Sequence, residues 1–251
     1  MTSIWVLRVA YPLVRFPTVN VLVGTSGFQY PEWKGSFYPE DLPTSKMLPY
    51  YAERLGATEI NYTFRRIPNP KTIANWVEAT PDQFSFALKA PQRVTHFAKL
   101  KDCGDTMRYF TNVVTGLGPK LGPILFQLPP TFKQDLPLLD EFCQSLPSEL
   151  EAAFEFRHES WFSDDTYSCL EKARAALCLA DSEDRKPPRV ITAPFGYLRL
   201  RRPDYTEADL ADWAGFVKGS ADRWKAATVF FKHEEGGIGA AWAQQFAKLV
   251  K

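Results

Sequence analysis

The chain has 251 residues, 45% of them hydrophobic, close to the roughly 250 typical of one (β/α)8 barrel. A formal net charge of +1 argues against the global basic field that marks many nucleic-acid binders, so electrostatic recognition has to be local. No run approaches the ~18 apolar residues of a membrane span, and Cys103, Cys143, Cys169 and Cys178 lack a Cys-x-x-Cys spacing and read as reduced thiols of a cytoplasmic protein.

Residues 1–18 are set apart as an N-terminal extension to a single domain, 19–251. Ile4-Trp5-Val6-Leu7 is too short for a signal core, and Arg8 and Arg15 break the residues after it with charge. A strand or cap at the foot of the domain is the alternative.

The first predicted strand is Val19 to Thr25, ending in Gly24-Thr25-Ser26-Gly27. An aromatic loop from Phe28 to Tyr38 comes next, punctuated by prolines. A helix spans about Ser45 to Leu55. The second strand is Thr58 to Tyr62, and Asn69-Pro70 supplies an N-cap and a first-turn proline for the helix carrying Trp76. In the third strand, Gln83 to Lys89, Phe84, Phe86 and Leu88 face one way, while Ser85, Ala87 and Lys89 face the other, as the crowded inner wall of a barrel would require. A loop with Thr95-His96 leads to a helix near Asp105 to Thr115. The fourth strand, Gly122 to Leu128, stops at Pro129-Pro130, and Asp135 to Ser145 is helical.

The fifth strand carries Phe154 and Phe156 on one face and Glu155 and Arg157 on the other. It breaks at His158-Glu159-Ser160 before a helix from about Asp164 to Ala175. Ala176 to Asp181 is the sixth strand. Three prolines between Ser182 and Phe195 argue against a regular helix there. Gly196 to Arg201 is the seventh strand, Thr206 and Asp209 open a helix to about Lys218, Ala226 to His233 is the eighth strand, and Ala240 to Val250 is helical. The alternation predicts an α/β fold: a TIM-like (β/α)8 barrel of parallel strands with an irregular connection between strands six and seven.

Several short runs carry a resemblance. They are Gly24-Thr25-Ser26-Gly27, Trp33-Lys34-Gly35, Phe37-Tyr38-Pro39, Glu59-Ile60-Asn61, Thr63-Phe64, Lys89-Ala90-Pro91, Thr95-His96, Phe126-Gln127-Leu128-Pro129-Pro130, Phe154-Glu155-Phe156-Arg157-His158, Ser160-Trp161 and Leu179-Ala180-Asp181. Together they resemble the YecE-like family, a TIM-barrel-type domain of unknown function. The resemblance implies the barrel but supplies no accepted reaction. Two departures stand out. After Tyr197-Leu198-Arg199-Leu200 the family usually has His-Gly, where this chain has Arg201-Arg202. Near the end of the last strand it tends to carry asparagine or aspartate, where this chain has Phe231-Lys232-His233-Glu234.

In TIM-barrel enzymes the carboxyl ends of the strands hold the active site. The polar residues expected there, facing inward, are Thr25, Glu59, Asn61, Lys89, Gln127, Glu155, Arg157, Asp181, Arg199, Arg201 and Lys232. Five cations against three carboxylates leave a net +2 in a confined mouth, which suits a phosphate or carboxylate because a guanidinium donates bidentate hydrogen bonds. A buried salt-bridge network that only fixes the barrel is the competing reading.

Glu155 is the candidate general acid or base, with Asp181 or Glu59 as counterpart, since cations depress one carboxylate and a like charge raises another. A fixed partner of Arg157 or Lys89 is its structural alternative. Lys89 could form a Schiff base if its pKa is lowered. His96, His158 and His233 with Glu59, Glu155 and Asp181 include the donors a divalent metal would take, yet no His-x-x-x-His spacing is present, so no metal site is assigned. His158 also reads as a hydrogen-bonded loop anchor. Tyr30 and Trp33 either stack on a base or sugar face or pack a closed lid. Ser26 is not in a Gly-x-Ser-x-Gly elbow, and no Walker or Gly-x-Gly-x-x-Gly loop appears.

The leading expectation is a hydrolase of a phosphoester or phosphodiester. Glu155 and Asp181 would move protons and Lys89, Arg157 and Arg199 would hold the anion. Two alternatives stand beside it: a non-catalytic module for a nucleic-acid fragment or phosphorylated metabolite, and a Lys89-dependent lyase or isomerase. No membrane partner is expected.

Overall fold

The computed structural model describes residues 18–232 and 235–251, so all but the last residue of the expected extension lies outside the described residues. Nine strand segments are present: β1 (Asn20–Ser26), β2 (Ala57–Ile60), β3 (Ser85–Lys89), β4 (Leu121–Gln127), β5 (Ala152–Glu155), β6 (Ala176–Leu177), β7 (Leu179–Asp181), β8 (Phe195–Leu200) and β9 (Ala226–Phe231). All pair in parallel, in the order β6-β5-β4-β3-β2-β1-β9-β8-β7. The result is the expected TIM-like barrel, nearly closed.

The expected sixth strand is divided into β6 and β7. At Cys178 the chain bends: its N–H donates to Phe154 O (2.8 Å), while the Ala180 N–H folds back to Cys178 O (3.1 Å). β6 therefore ladders onto β5 and β7 onto β8, and one short bent strand brings the two ends of the sheet together. The connection from Ser182 to Pro194 has no helix, as its prolines predict. The Thr192 hydroxyl accepts from Leu177 N (2.8 Å) and donates to Ala175 O (2.7 Å), satisfying backbone groups that would otherwise be buried without partners.

Side-chain size sorts the two faces of the strands. Ala57, Ala87, Leu125, Ala153, Ala176, Phe195, Tyr197 and Phe230 form one buried cluster inside the barrel. Ile60, Phe86, Leu88, Phe126, Phe154, Leu198 and Phe231 belong to a second cluster, which packs under the helices. Small residues recur inside because inward side chains from several strands share one narrow space.

The covering helices are α1 (Met47–Ala52), α2 (Pro70–Glu78), α3 (Gly104–Val114), α4 (Leu136–Ser145), α5 (Asp164–Ala173), α6 (Glu207–Gly219) and α7 (Ile238–Leu249). Their starts follow local chemistry. Asn69 caps α2, Asp135 caps α4 and Ser163 caps α5 by accepting a backbone N–H, and Thr206 with Asp209 closes a capping box on α6. At the other end of α2, buried Lys120 donates to Val77 O (2.7 Å) and Thr80 O (2.6 Å), where the helix leaves carbonyls exposed. No described helix is long and apolar enough to cross a membrane.

Gly24 tests the tightness of the β1–β2 wall, because a Cβ there would overlap the Ala57 carbonyl oxygen. Gly24→Ala should cost about 3 kcal/mol or more, the upper end of overpacking, read as a fall in the urea midpoint. Gly104→Ala, with nothing within 4 Å of the added carbon, is the control and should stay within about 0.5 kcal/mol of the parent. Equal midpoints for the two variants would overturn this account of the wall.

Candidate functional site

The barrel's floor and mouth are built by the same period-two rule. Ala57, Ala87, Leu125, Ala153 and Tyr197 point inward. Two residues further on, in the same phase, stand Glu59, Lys89, Gln127, Glu155 and Arg199.

These residues close into one network centred on Arg199, whose side chain is only 2% exposed. Its Nη2 donates to Glu59 Oε1 (2.8 Å) and its Nη1 to Glu155 Oε2 (2.5 Å). Glu59 also accepts from Ser26 Oγ (2.9 Å), Asn61 Nδ2 (3.0 Å) and Tyr197 OH (2.8 Å). Glu155 also accepts from Gln127 Nε2 (2.8 Å) and Arg157 Nε (3.3 Å). Lys89 Nζ donates to Gln127 Oε1 (2.8 Å) and lies 4.1 Å from the centre of the Phe64 ring. One buried atom of the network, Arg199 Nε, has no hydrogen-bond partner among the described residues.

Burial alone would raise the Glu155 carboxyl, but Arg199, then Arg157, and the hydrogen bonds from Gln127 and Arg199 reverse this and hold it at about 2. Glu59 behaves likewise: burial pushes up, Arg199 and the Tyr197 hydrogen bond push down further, and the net is a lowered pKa. Arg199 loses solvation, yet two carboxylates hold it firmly protonated. Lys89 is driven the other way. Burial, then the charge of Arg199, bring it down to about 8. His96 is lowered by burial and then by Lys89 and Arg157, which keeps its imidazole neutral near pH 7. The carboxylates are thus ionised and filled with donors, while Lys89 is a nitrogen base brought toward neutrality.

Arg157 is 42% exposed in its side chain, and Arg201 follows β8 in the inward phase. Burial and then Arg199 lower the Arg201 pKa, and no described carboxylate lies within ion-pair distance of it. Four cations, Lys89, Arg157, Arg199 and Arg201, face two carboxylates, Glu59 and Glu155, leaving +2 at the mouth. Beside them opens a cavity of about 360 Å³, lined by Glu155, Arg157, Arg201, Cys178, Ser182, Asp184 and Arg185 among others. Arg185 comes from the irregular connection and donates to Arg157 O (3.0 Å).

The structure brings together Glu59, Asn61, Lys89, Gln127, Glu155, Arg157, Arg199 and Arg201 as their strand phase predicts. Two members of the inward set need correction. Thr25 faces the helix layer, where its Oγ1 lies 2.9 Å from Tyr51 OH. Ser26 takes the inward position, because Val21 and Val23 set the outward phase of β1. Asp181 also faces outward and accepts from Tyr205 OH (2.8 Å). It shares phase with Leu177 and Leu179, while the small Ala176, Cys178 and Ala180 point in.

Trp33 is fully buried and packs on Tyr30, Phe37 and Tyr38. Tyr30 donates to Ser26 O (2.6 Å), and burial with the charge of Glu59 raises its hydroxyl to about 12. His158 accepts from Ser160 N (3.2 Å) as a turn cap. His96 Nδ1 lies 2.9 Å from Thr95 Oγ1, with its ring edge-on to Phe64. Lys232 follows β9, its N–H bonded to Leu200 O (3.0 Å). His233 lies outside the described residues. Among the described residues no three His, Cys, Asp or Glu side chains group as a metal cage. Sequence reasoning missed Ser26, Tyr197, Phe64 and Arg185 as members of the site. The phase of Tyr197 with Arg199 was the available signal, whereas nothing local marked Arg185.

Known proteins bear on this arrangement. Residues 22–251 match the family described as Protein of unknown function DUF72. The chain is 30% identical over 255 aligned positions to the UPF0759 protein YunF of Bacillus subtilis strain 168, covering 86% of this chain and 90% of that protein. It is 36% identical over 117 residues to the UPF0759 protein YecE of Escherichia coli K12, a match spanning 46% of this chain and 43% of that protein, less than half its length. Among solved structures, a DUF72 family protein of Thermotoga maritima MSB8 superposes with a TM-score of 0.83 at 30% identity, covering 92% of this chain and 99% of that one. A DUF72 family protein of Enterococcus faecalis V583 has the same fold, with a TM-score of 0.75 at 20% identity, covering 92% and 95%.

Removing Arg199 leaves two buried carboxylates uncompensated. Arg199→Met should destabilise by about 3–5 kcal/mol in urea denaturation, and adding Glu59→Gln and Glu155→Gln should restore part of the loss. An unchanged midpoint would show that the pair does not hold the barrel. Lys89 should be modified by trinitrobenzenesulfonate, followed by mass spectrometry, with a pH midpoint at about 8, because the amine reacts only when neutral. A midpoint near the ordinary lysine value of about 10.4 would contradict the burial of the amine and the cations around it.

Proposed function

The chain belongs to the DUF72 family, and we propose that the mouth of its barrel binds a small phosphate-containing anion and that the protein hydrolyses a phosphoester or phosphodiester there. The observation that carries the reading is Arg201. Its guanidinium is partly buried, lies near Arg199 and Arg157, lines the cavity, and has no described carboxylate at ion-pair distance. A cation in that position is relieved by an incoming anion, and a planar fork donates two hydrogen bonds to a phosphate. It stands where the YecE-like family usually carries histidine.

Arg157 and Arg201 hold the phosphate in this reading. Glu59 and Glu155 fix Arg199 and, through it, the floor of the site, because their oxygens are already occupied by donors. The proton work passes to Lys89 and His96. Lys89, poised at about 8, gives a proton to the departing oxygen, and neutral His96 takes one from the attacking water. Asp181, tied to Tyr205 on the outer face, has no part in it. The four free thiols suit a reducing, cytoplasmic location.

The depressed Lys89 pKa favours a second reading, carbonyl chemistry through a Schiff base. Borohydride with a carbonyl substrate would then fix a mass adduct on Lys89.

Calorimetric titration with inorganic phosphate should show binding that Arg201→Ala weakens about tenfold or more, one charge-assisted hydrogen bond being worth about 1.5–3 kcal/mol. Aryl mono- and diesters of phosphate, with and without Mg, Mn or Zn, should turn over in the parent and not in Lys89→Met. Unaltered phosphate affinity in both Arg201→Ala and Arg157→Ala would sink the anion site. Binding without turnover of any ester would leave a non-catalytic module.

A further inference from the structure

A second concavity, about 840 Å³, lies beside the mouth between the segment after β2 and the segment after β3. Its charge is one-sided. Arg65, Arg66 and Arg93 line it and are exposed, and none has a carboxylate partner among the described residues. The one lining acid, Asp105, is paired with Arg108 one turn further along α3. Its aromatic content is unusual for a surface: Phe97 is 72% exposed and Tyr109 61% exposed. Phe97 ends a π-helical turn, Arg93–Phe97, whose wide spacing turns the ring outward instead of into the core. Phe64 belongs both to this groove and to the mouth, since the Lys89 ammonium sits over its ring.

Three unpaired guanidinium groups set among exposed flat rings suit a ligand that alternates charged and flat groups. A phosphopeptide offers the charge but lacks a ring at every step, and a duplex hides its bases from stacking. We propose that this groove binds single-stranded nucleic acid, with backbone phosphates on Arg65, Arg66 and Arg93 and bases stacked on Phe97 and Tyr109. The strand then runs past Phe64 and presents one phosphodiester to Lys89, Arg157 and Arg201. This last step rests on the reading of the mouth given above, whereas the groove itself does not.

The test is fluorescence anisotropy of labelled oligothymidylate and oligouridylate dodecamers against the full chain. The competitors are an abasic dodecamer, inorganic polyphosphate, a duplex of the same length and a phosphoserine peptide. Three phosphate contacts in the groove contribute about −2 to the slope of log affinity against log salt. Arg65→Ala, Arg66→Ala and Arg93→Ala combined should remove that contribution. Phe97→Ala and Tyr109→Ala should each weaken the dodecamers at least about fivefold and leave the abasic strand unchanged. All five side chains are exposed, so the variants keep the fold. Equal competition by polyphosphate, the abasic strand or the phosphopeptide, or dodecamer binding indifferent to Phe97 and Tyr109, would overturn the proposal. Arg201→Ala separates the two sites. If Arg201→Ala and Arg157→Ala both leave inorganic phosphate binding intact while the groove variants lose the dodecamers, the mouth reading fails and the groove stands. If phosphate binding falls in Arg201→Ala and the groove variants change nothing, the reverse holds.

Discussion

One guanidinium shared between two carboxylates organises this barrel. Arg199 leaves β8 and reaches Glu59 on β2 and Glu155 on β5, three strands spaced around the circumference. Each ion is costly to bury alone. Together they satisfy one another, with Ser26, Asn61, Gln127 and Tyr197 filling the remaining acceptor positions. Apolar residues of similar volume would also close the barrel, and burying ion pairs is not in general the most stabilising choice. What the triad adds is a fixed electrostatic floor directly below the mouth.

That floor determines what the mouth can offer. Because both carboxylates are held ionised by Arg199, neither is a ready proton donor near neutral pH. The positive charge that remains falls on Lys89 and, one layer higher, on Arg157 and Arg201. Burial, and then the charge of neighbouring cations, lowers Lys89, His96 and Arg201 alike. An anion entering the site relieves all of them at once. The cavity wall made by the segment after β7 adds Arg185 together with Asp184, and the groove beside Phe64 extends positive charge away from the mouth.

Strand phase was legible wherever large apolar residues alternate with small or polar ones. Phe86 and Leu88 against Ala87 and Lys89, and Phe154 and Phe156 against Glu155 and Arg157, fix the inner face without a structure, because few bulky side chains fit inside a narrow barrel. The same rule, applied to Ala176-Leu177-Cys178-Leu179-Ala180-Asp181, places Asp181 outside. Its charge suggested the site, but its phase decided. In β1 the small inner residues Gly24 and Ser26 flank Thr25, and Val23 beside them marks the outer phase. The irregular connection was legible from its prolines. Its contribution of Arg185 to the cavity was not, since a segment without periodicity carries no directional signal.

From its own alternations the sequence determined the parallel barrel, the helix starts at Asn69, Asp135, Ser163 and Thr206, and the inward direction of Glu59, Lys89, Gln127, Glu155 and Arg199. These are local matters, set by residues within a turn or a strand of one another. Only the tertiary structure decided that Arg199 takes both glutamates, that Arg201 is left facing a cavity, and that Phe64 links the mouth to a basic groove. Those outcomes depend on distances between residues as far as 140 positions apart in the chain. Such distances are set by strand order, register and the bend at Cys178, and no short stretch of sequence encodes them.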